Sequence, residues 1–170
     1  MPTPDELLAH LDRVYTLALR LAGNPADAWD LAQDAMLKAL KGLPAFRGDA
    51  ALDTWLFRIT VNAWKNRNAS ASWRWWERRV SLDPLGEEGS VPKLAEPGPE
   101  GALEADESRR ALEAALAALA PEDRAALVLR ELENKSYQEI VEILGIPMGT
   151  VKSRLHRARL ELARALEPRS

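Results

Sequence analysis

Between Val80 and Glu107 the chain carries Pro84, Pro92, Pro97 and Pro99, alternating with Gly86, Gly89, Gly98 and Gly101. Proline removes a backbone donor and glycine pays the largest entropy on ordering, so such a stretch neither sustains a regular element nor builds a core. It holds eight acidic residues against the single cation Lys93, a net −7 that exceeds the −3 of the whole 170-residue chain. The segment reads as a flexible acidic linker, 80–107. It divides the remainder into two small units, 1–79 and 108–170, that are mildly basic without it.

What flanks the linker is helical throughout. From Asp5 to about Arg79 apolar residues recur at helical spacing, with Gly and Pro mainly at breaks. Leu7, Leu8, Leu11, Val14, Leu17, Ala18 and Leu21 form one apolar stripe ending at Gly23. Asn24 is placed to cap the next helix, Pro25 fits its first position, and Asp27 and Asp30 put negative charge near its positive end. That helix is predicted to run to about Lys41. After the loop GLPAFRG, Asp49 is the expected cap of a third helix through TWLFRITVNAWKNR, with a possible continuation into SASWRWWERR. Beyond the linker, periodicity returns at Ser108–Leu119, Pro121–Leu132 and through the last forty residues. The expected fold is all-α: a three-helix bundle and a four-helix module, each with its own small core.

The stretch SYQEIVEILGIPMGTVKSRLHRAR, Ser136 to Arg159, is the most informative. Ser136 with Glu139 three residues on is a capping box. Ile140, Ile143 and Leu144 supply a buried face, Gly145 permits a sharp turn, Ile146 plugs the core and Pro147 fits the first turn of the helix that follows. This is a helix-turn-helix. At 100° per residue Val151, Leu155, Ala158 and Leu162 face inward, leaving Lys152, Ser153, His156 and Arg157 outward with Arg154 and Arg159 on the flanks. From Pro147 to Arg164 five cations stand against one carboxylate, Glu161, a local footprint suited to duplex DNA despite the acidic whole.

The first unit also carries nucleic-acid chemistry. Phe46, Arg47, Trp55, Phe57, Arg58, Asn62, Trp64, Lys65 and Arg67 mix aromatic and basic side chains in the third helix and the loop before it. Trp55 and Ile59, one turn apart, suit the bundle core. Arg58, Asn62 and Lys65 share a face beside the loop bearing Phe46, a pattern fitted to unpaired bases through stacking, hydrogen bonds and phosphate contacts. The second helix sets Asp27, Asp30, Gln33, Asp34 and Lys38 over apolar Ala28, Leu31, Ala35 and Ala39. That polar face is either solvated or a protein-docking surface.

Other classes are disfavoured. There is no cysteine, which excludes disulfides and thiolate metal sites and suits a reducing, cytoplasmic setting. The only histidines, His10 and His156, are far apart with no acidic partner spaced for a metal, so neither a catalytic nor a metal site is expected, and no cofactor. No apolar run approaches the roughly 18 residues that span a bilayer, and the start MPTPDELLAH lacks a signal peptide's features, so neither membrane insertion nor export is expected.

Two segments in order, YTLALRLAGNPADAWDLAQDAMLKALKGLPAFRGDAALDTWLFRITVNAWKNR and LAPEDRAALVLRELENKSYQEIVEILGIPMGTVKSRLHRARLEL, resemble the extracytoplasmic-function class of bacterial RNA polymerase sigma factors, in the sigma-70 family. The resemblance implies a sigma-2-like domain over 1–79 and a sigma-4-like helix-turn-helix domain over 108–170. It implies a dissociable, non-catalytic subunit of core RNA polymerase, with the beta-prime clamp helices and the beta flap as contacts and Asp27, Asp30, Gln33, Asp34 and Lys38 on the clamp-facing helix. Single-stranded minus-10 DNA would meet Phe46, Arg58, Ile59, Asn62, Lys65 and Arg67, with Phe46, Ile59 and Asn62 at the pocket for an extruded base. Duplex minus-35 DNA would meet Lys152, Ser153, Arg154, His156, Arg157 and Arg159, with Arg130 at a backbone-contacting position. An anti-sigma factor is the further partner implied. Val141, where a small alanine is usual, His156 at a variable base-facing position, and the Trp73, Trp75 and Trp76 cluster depart from the common pattern. An autonomous regulator using only its helix-turn-helix is the alternative; a small helical enzyme would need a nucleophile–base pair or metal cluster that the chain lacks.

Overall fold

The computed structural model describes residues 1–67 and 102–167. The Trp73, Trp75 and Trp76 cluster, the extension of the third helix and the acidic linker as far as Gly101 lie outside them. Every regular element among the described residues is helical.

The first module holds α1 (Pro4–Leu8), α2 (Leu11–Ala22), α3 (Pro25–Gly42), a single 3₁₀ turn (Leu43–Ala45) and α4 (Leu52–Arg67). The stripe read as one helix from Leu7 to Leu21 is broken at Ala9–His10. Thr3 and Glu6 close a capping box on the five-residue α1, and the break turns the fully buried Leu7 back toward α3. Gly23 takes the left-handed conformation, φ 84°, and the Asn24 side chain accepts from the Asp27 amide at 2.9 Å. The inward face of α3 is nearly all small, Ala28, Ala32, Ala35 and Ala39 beside Leu31 and Met36, which lets α2 and α4 lie close on either side. Asp49 does not cap α4. Gly48, at φ 76°, bends the chain, and the first helical bond runs from the Trp55 amide to the Ala51 carbonyl.

The second module holds α5 (Ala102–Ala118), α6 (Pro121–Leu127) running into a π turn (Val128–Leu132), α7 (Tyr137–Leu144) and α8 (Met148–Leu166). Helix α5 begins at Ala102, six residues earlier than the expected start at Ser108. Gly101 is the last breaker, and ALEADESRR after it is rich in helix formers. The π turn leaves no trace in the apolar spacing. It closes through the Lys135 amide bonding the Leu129 carbonyl, with Asn134 left-handed at φ 55°.

The two modules pack together, α4 against α7 and α2 against α6 and the π turn, and their buried side chains form one continuous core. Polar contacts seal the junction. Lys135 is 5% exposed, its Nζ 2.6 Å from Asp53 Oδ2, 3.6 Å from Glu139 Oε2 and 5.0 Å from the Phe57 ring centre. Arg13 reaches Asp53 at 3.2 Å, the Thr54 hydroxyl donates to Glu139 at 3.2 Å, and Arg20 donates to Glu133 at 2.8 Å. Arg124 donates to the Leu21 carbonyl across the junction and to the Leu116, Ala117 and Leu119 carbonyls at the end of α5, with Trp64 against its guanidinium. Burial works against the charged form of Asp53, but the hydrogen bond and charge of Lys135, with the Thr54 amide and Arg13, outweigh it and hold the carboxyl below its ordinary value.

Candidate nucleic-acid interface

The helix-turn-helix forms as its local chemistry dictates. The Ser136 amide donates to the Glu139 carboxylate and the Glu139 amide to the Ser136 hydroxyl, both at 3.1 Å, and the Ser136 amide, aided by the Ser136 and Thr54 hydroxyls and the charge of Lys135, lowers the Glu139 pKa against slight burial. Gly145, at φ 67°, is left-handed and its amide bonds the Val141 carbonyl, while Ile146 is buried beneath the turn. Pro147 precedes α8 as its extended N-cap residue rather than lying in its first turn. The half-buried Val141 packs against the core.

Val151, Leu155, Ala158 and Leu162 face inward as expected, each at most 1% exposed. Lys152, Ser153 and His156 stand half-exposed on the outer face, with the Ser153 hydroxyl donating back to the Gly149 carbonyl at 2.8 Å. One expectation fails. Arg154 is not on an open flank but 1% exposed, turned into the seam between α8 and α6, where its Nη1 lies 4.0 Å from the equally buried Asp123. Spacing alone put it beside the outward residues; the acid that draws it in comes thirty-one positions earlier, at the start of α6. Arg157 Nε and Nη2 donate to the two Asp123 oxygens, each at 2.8 Å. Arg159, on the opposite flank, pairs with Glu131 of the π turn at 2.6 Å. Arg130 donates to the Lys135 carbonyl at 3.0 Å and lies 4.7 Å from the Tyr137 ring centre, bracing the loop into α7.

On the first module Arg58 and Asn62 are exposed and Lys65 half-exposed along α4, while Ile59 is half-buried against the core. Phe46 packs on Trp55, ring centres 4.9 Å apart, and lines a cleft of about 580 Å³ with Met1, Pro2, Pro44, Ala45, Arg47 and Gly48. The cleft itself is walled by the loop and the N-terminus; Ile59 and Asn62 lie further along α4, beyond Trp55, on which Phe46 packs. Arg67 leans on α3, donating to the Asp30 carbonyl at 3.0 Å with its Nε 3.9 Å from Asp34.

The outer face of α3 exposes Asp27, Asp30, Gln33 and Lys38, with Asp34 half-exposed. Asp27 accepts from the Asn24 amide group at 2.8 Å, and Asp34 pairs with Lys38 at 3.3 Å. Beside them stand two residues that sequence reading did not single out, Trp29 at 46% and Leu37 at 58% exposed. Their signal was present: at 100° per residue both lie outside the alanine arc. Among the described residues no group of His, Asp or Glu is placed to hold a metal, and no helix is long and apolar enough to cross a membrane.

The chain matches two family models, sigma-70 region 2 over residues 7–74 and sigma-70 region 4 over residues 109–162. It is 37% identical to the ECF RNA polymerase sigma factor SigE of Mycolicibacterium smegmatis, covering 95% of this chain and 61% of that protein. To the RNA polymerase sigma-H factor of Pseudomonas aeruginosa it is 35% identical over 95% of this chain and 84% of the relative. Among solved structures it is similar to the sigma factor RpoE bound to the anti-sigma factor NepR from Bartonella quintana, with TM-score 0.68, 30% identity and coverage of 95% and 94% of the two chains. The fold is shared as well with CnrH in its complex with the cytosolic domain of CnrY, at TM-score 0.63 and 23% identity. With both regions in order along one all-helical chain, the protein belongs to the extracytoplasmic-function class of the sigma-70 family of RNA polymerase sigma factors.

Proposed function

We propose that this chain binds core RNA polymerase and directs promoter-specific initiation, reading the minus-35 element as duplex through α8 and opening the minus-10 element through α4 and the loop before it. The observation that carries this reading is the pairing of two unlike surfaces on one chain. A helix-turn-helix presents Lys152, Ser153, His156 and Arg157 to a groove. A second surface sets Arg58, Asn62 and Lys65 along α4, with the Phe46 cleft at the loop before it, the furniture of unpaired bases. Arg159 and Arg130 contact the DNA backbone beside α8, and the exposed Arg67 extends the cationic edge of α4.

Polymerase docks on the outer face of α3. Asp30, Gln33 and Lys38 supply polar contacts, Asp27 and Asp34 frame them, and exposed Trp29 and Leu37 supply the apolar area that a polar face alone lacks. The chain works in the cytoplasm, performs no chemistry of its own, and is held by an anti-sigma factor; both structural relatives were solved as complexes, RpoE with an anti-sigma factor and CnrH with a cytosolic domain.

Transcription in vitro tests the reading. Core polymerase with this chain is expected to initiate at specific sites of a genomic DNA library, and the chain alone to bind duplex DNA only weakly, with Kd of the order of 10⁻⁴ to 10⁻⁶ M at physiological salt. Tight sequence-specific footprints by the chain alone would instead make it an autonomous regulator.

A further inference from the structure

We propose that Asp123 is a positioning residue for promoter recognition: it holds Arg157 side-on, so that the guanidinium presents its end-on pair of N–H groups to a guanine edge in the major groove. This rests on the reading of α8 as the duplex-reading helix.

The geometry of the grip carries the argument. Asp123 is 1% exposed at the start of α6, whereas the Arg157 side chain is 36% exposed. The two bonds at 2.8 Å take one hydrogen on Nε and one on Nη2. A guanidinium has five N–H groups in a rigid fork; the end-on edge, with one N–H from each terminal nitrogen, points along the side chain rather than toward the carboxylate. That edge matches the spacing of guanine O6 and N7. An arginine held by a buried carboxylate has already given up the rotamer freedom that a mobile one would lose on meeting DNA.

Charge fits the same role. Asp123 is shared between two guanidiniums, the buried Arg154 at 4.0 Å and Arg157, so it does not by itself neutralise both. Helical angles place Ser153 and His156 centrally on the outer face, with Lys152 at one edge and Arg157 at the other, the α6 side, where a residue of α6 can brace it without entering the groove. Arg159 is held differently. One oxygen of Glu131, Oε1, takes both its Nε and Nη2, and neither side chain is deeply buried, which fixes the angle of approach less tightly.

The test uses holoenzyme assembled from this chain and core polymerase, equilibrated with a promoter library randomised across both elements, the bound DNA being sequenced. Arg157→Lys and Asp123→Asn are each expected to lower the preference for guanine at one and the same minus-35 position by about tenfold, leaving the other positions as they were. The double variant is expected to discriminate no worse than Arg157→Lys alone. Asp123→Glu, which keeps the charge but moves the carboxylate by one methylene, carries the same expectation and replaces Asp123→Asn if that variant does not fold. Full preference retained in the Asp123 variants at the position that Arg157→Lys loses would overturn the proposal, as would a uniform fall at every position, the mark of a purely structural role. A wild-type holoenzyme indifferent to every minus-35 base would overturn the reading of α8, and this proposal with it.

Discussion

The junction between the modules and the outer face of α8 are made of the same materials, arginine or lysine against carboxylate, yet they are arranged for opposite ends. At the junction the cations are used up. Lys135 sits between Asp53 and Glu139 over the Phe57 ring, and Arg124 spends its donors on four carbonyls from two modules. On α8 the acid takes one edge of Arg157 from behind and leaves the guanidinium at the surface. Carboxylates closing over a buried lysine make an adhesive; a buried carboxylate behind a half-exposed arginine makes a mount.

The sharpest way to break that comparison is to remove the junction cations. Arg124→Ala strips hydrogen bonds from the Leu21, Leu116, Ala117 and Leu119 carbonyls at once, and is expected to cost about 3 kcal/mol in urea unfolding because several partly buried acceptors lose their donor together. Lys135→Met keeps the stem over Phe57 but leaves Asp53 with only Arg13 as its charged partner, for an expected loss of about 2 kcal/mol. Both should loosen the contact of α4 with α7, read as faster amide exchange in α7. An unchanged exchange pattern with lowered stability would show that these cations serve their own modules and not the junction.

Arg159→Ala is the counterpart on α8. Its pair with Glu131 is partly exposed on both sides, so the expected loss of stability is about 0.5–1 kcal/mol. Binding of holoenzyme to minus-35 duplex should fall across all sequences with a shallower salt dependence, as for a backbone contact. A loss of stability as large as that of Lys135→Met would erase the distinction between the two regions.

Much of this was legible before any coordinates, and the reason is locality. The capping box of Ser136 and Glu139, the left-handed Gly23 and Gly145, the Asn24 cap and the inward Val151, Leu155, Ala158 and Leu162 each depend on residues within a turn or two. Arg154 was misplaced because its partner Asp123 stands thirty-one positions earlier, beyond the reach of any helical spacing. The junction was illegible for the same reason. Asp53 and Lys135, or Arg124 and the Leu21 carbonyl, look like ordinary surface polar groups until the fold brings the modules together. The break in the first stripe at His10 and the π turn at Val128–Leu132 escaped because a local change of helical geometry leaves apolar spacing almost unaltered.

Acid titration separates the two regions most finely, because their carboxylates respond in opposite directions. Asp53 and Glu139, at the junction, have lowered pKa values, so the stability they supply is present above the ordinary carboxylate range and is lost as the pH falls through their folded values. Glu122, beside Asp123 under α8, is the reverse. Burial raises its pKa, Asp123 and Glu161 adding to the effect against Arg157, and its Oε2 has no hydrogen-bond partner. Its ionisation therefore opposes folding: the protonated form is favoured in acid, and that advantage disappears as the pH rises from the ordinary glutamate value through the raised one. Glu122→Gln is accordingly expected to stabilise the protein at pH 7 by roughly 0.5–1 kcal/mol, an increment that vanishes below about pH 4. Urea melts of wild type and variant between pH 3.5 and 7.5 measure this directly. If the two curves stay parallel across that range, Glu122 gains enough water in solution to ionise freely, and the support beneath α8 is wetter than its packing implies.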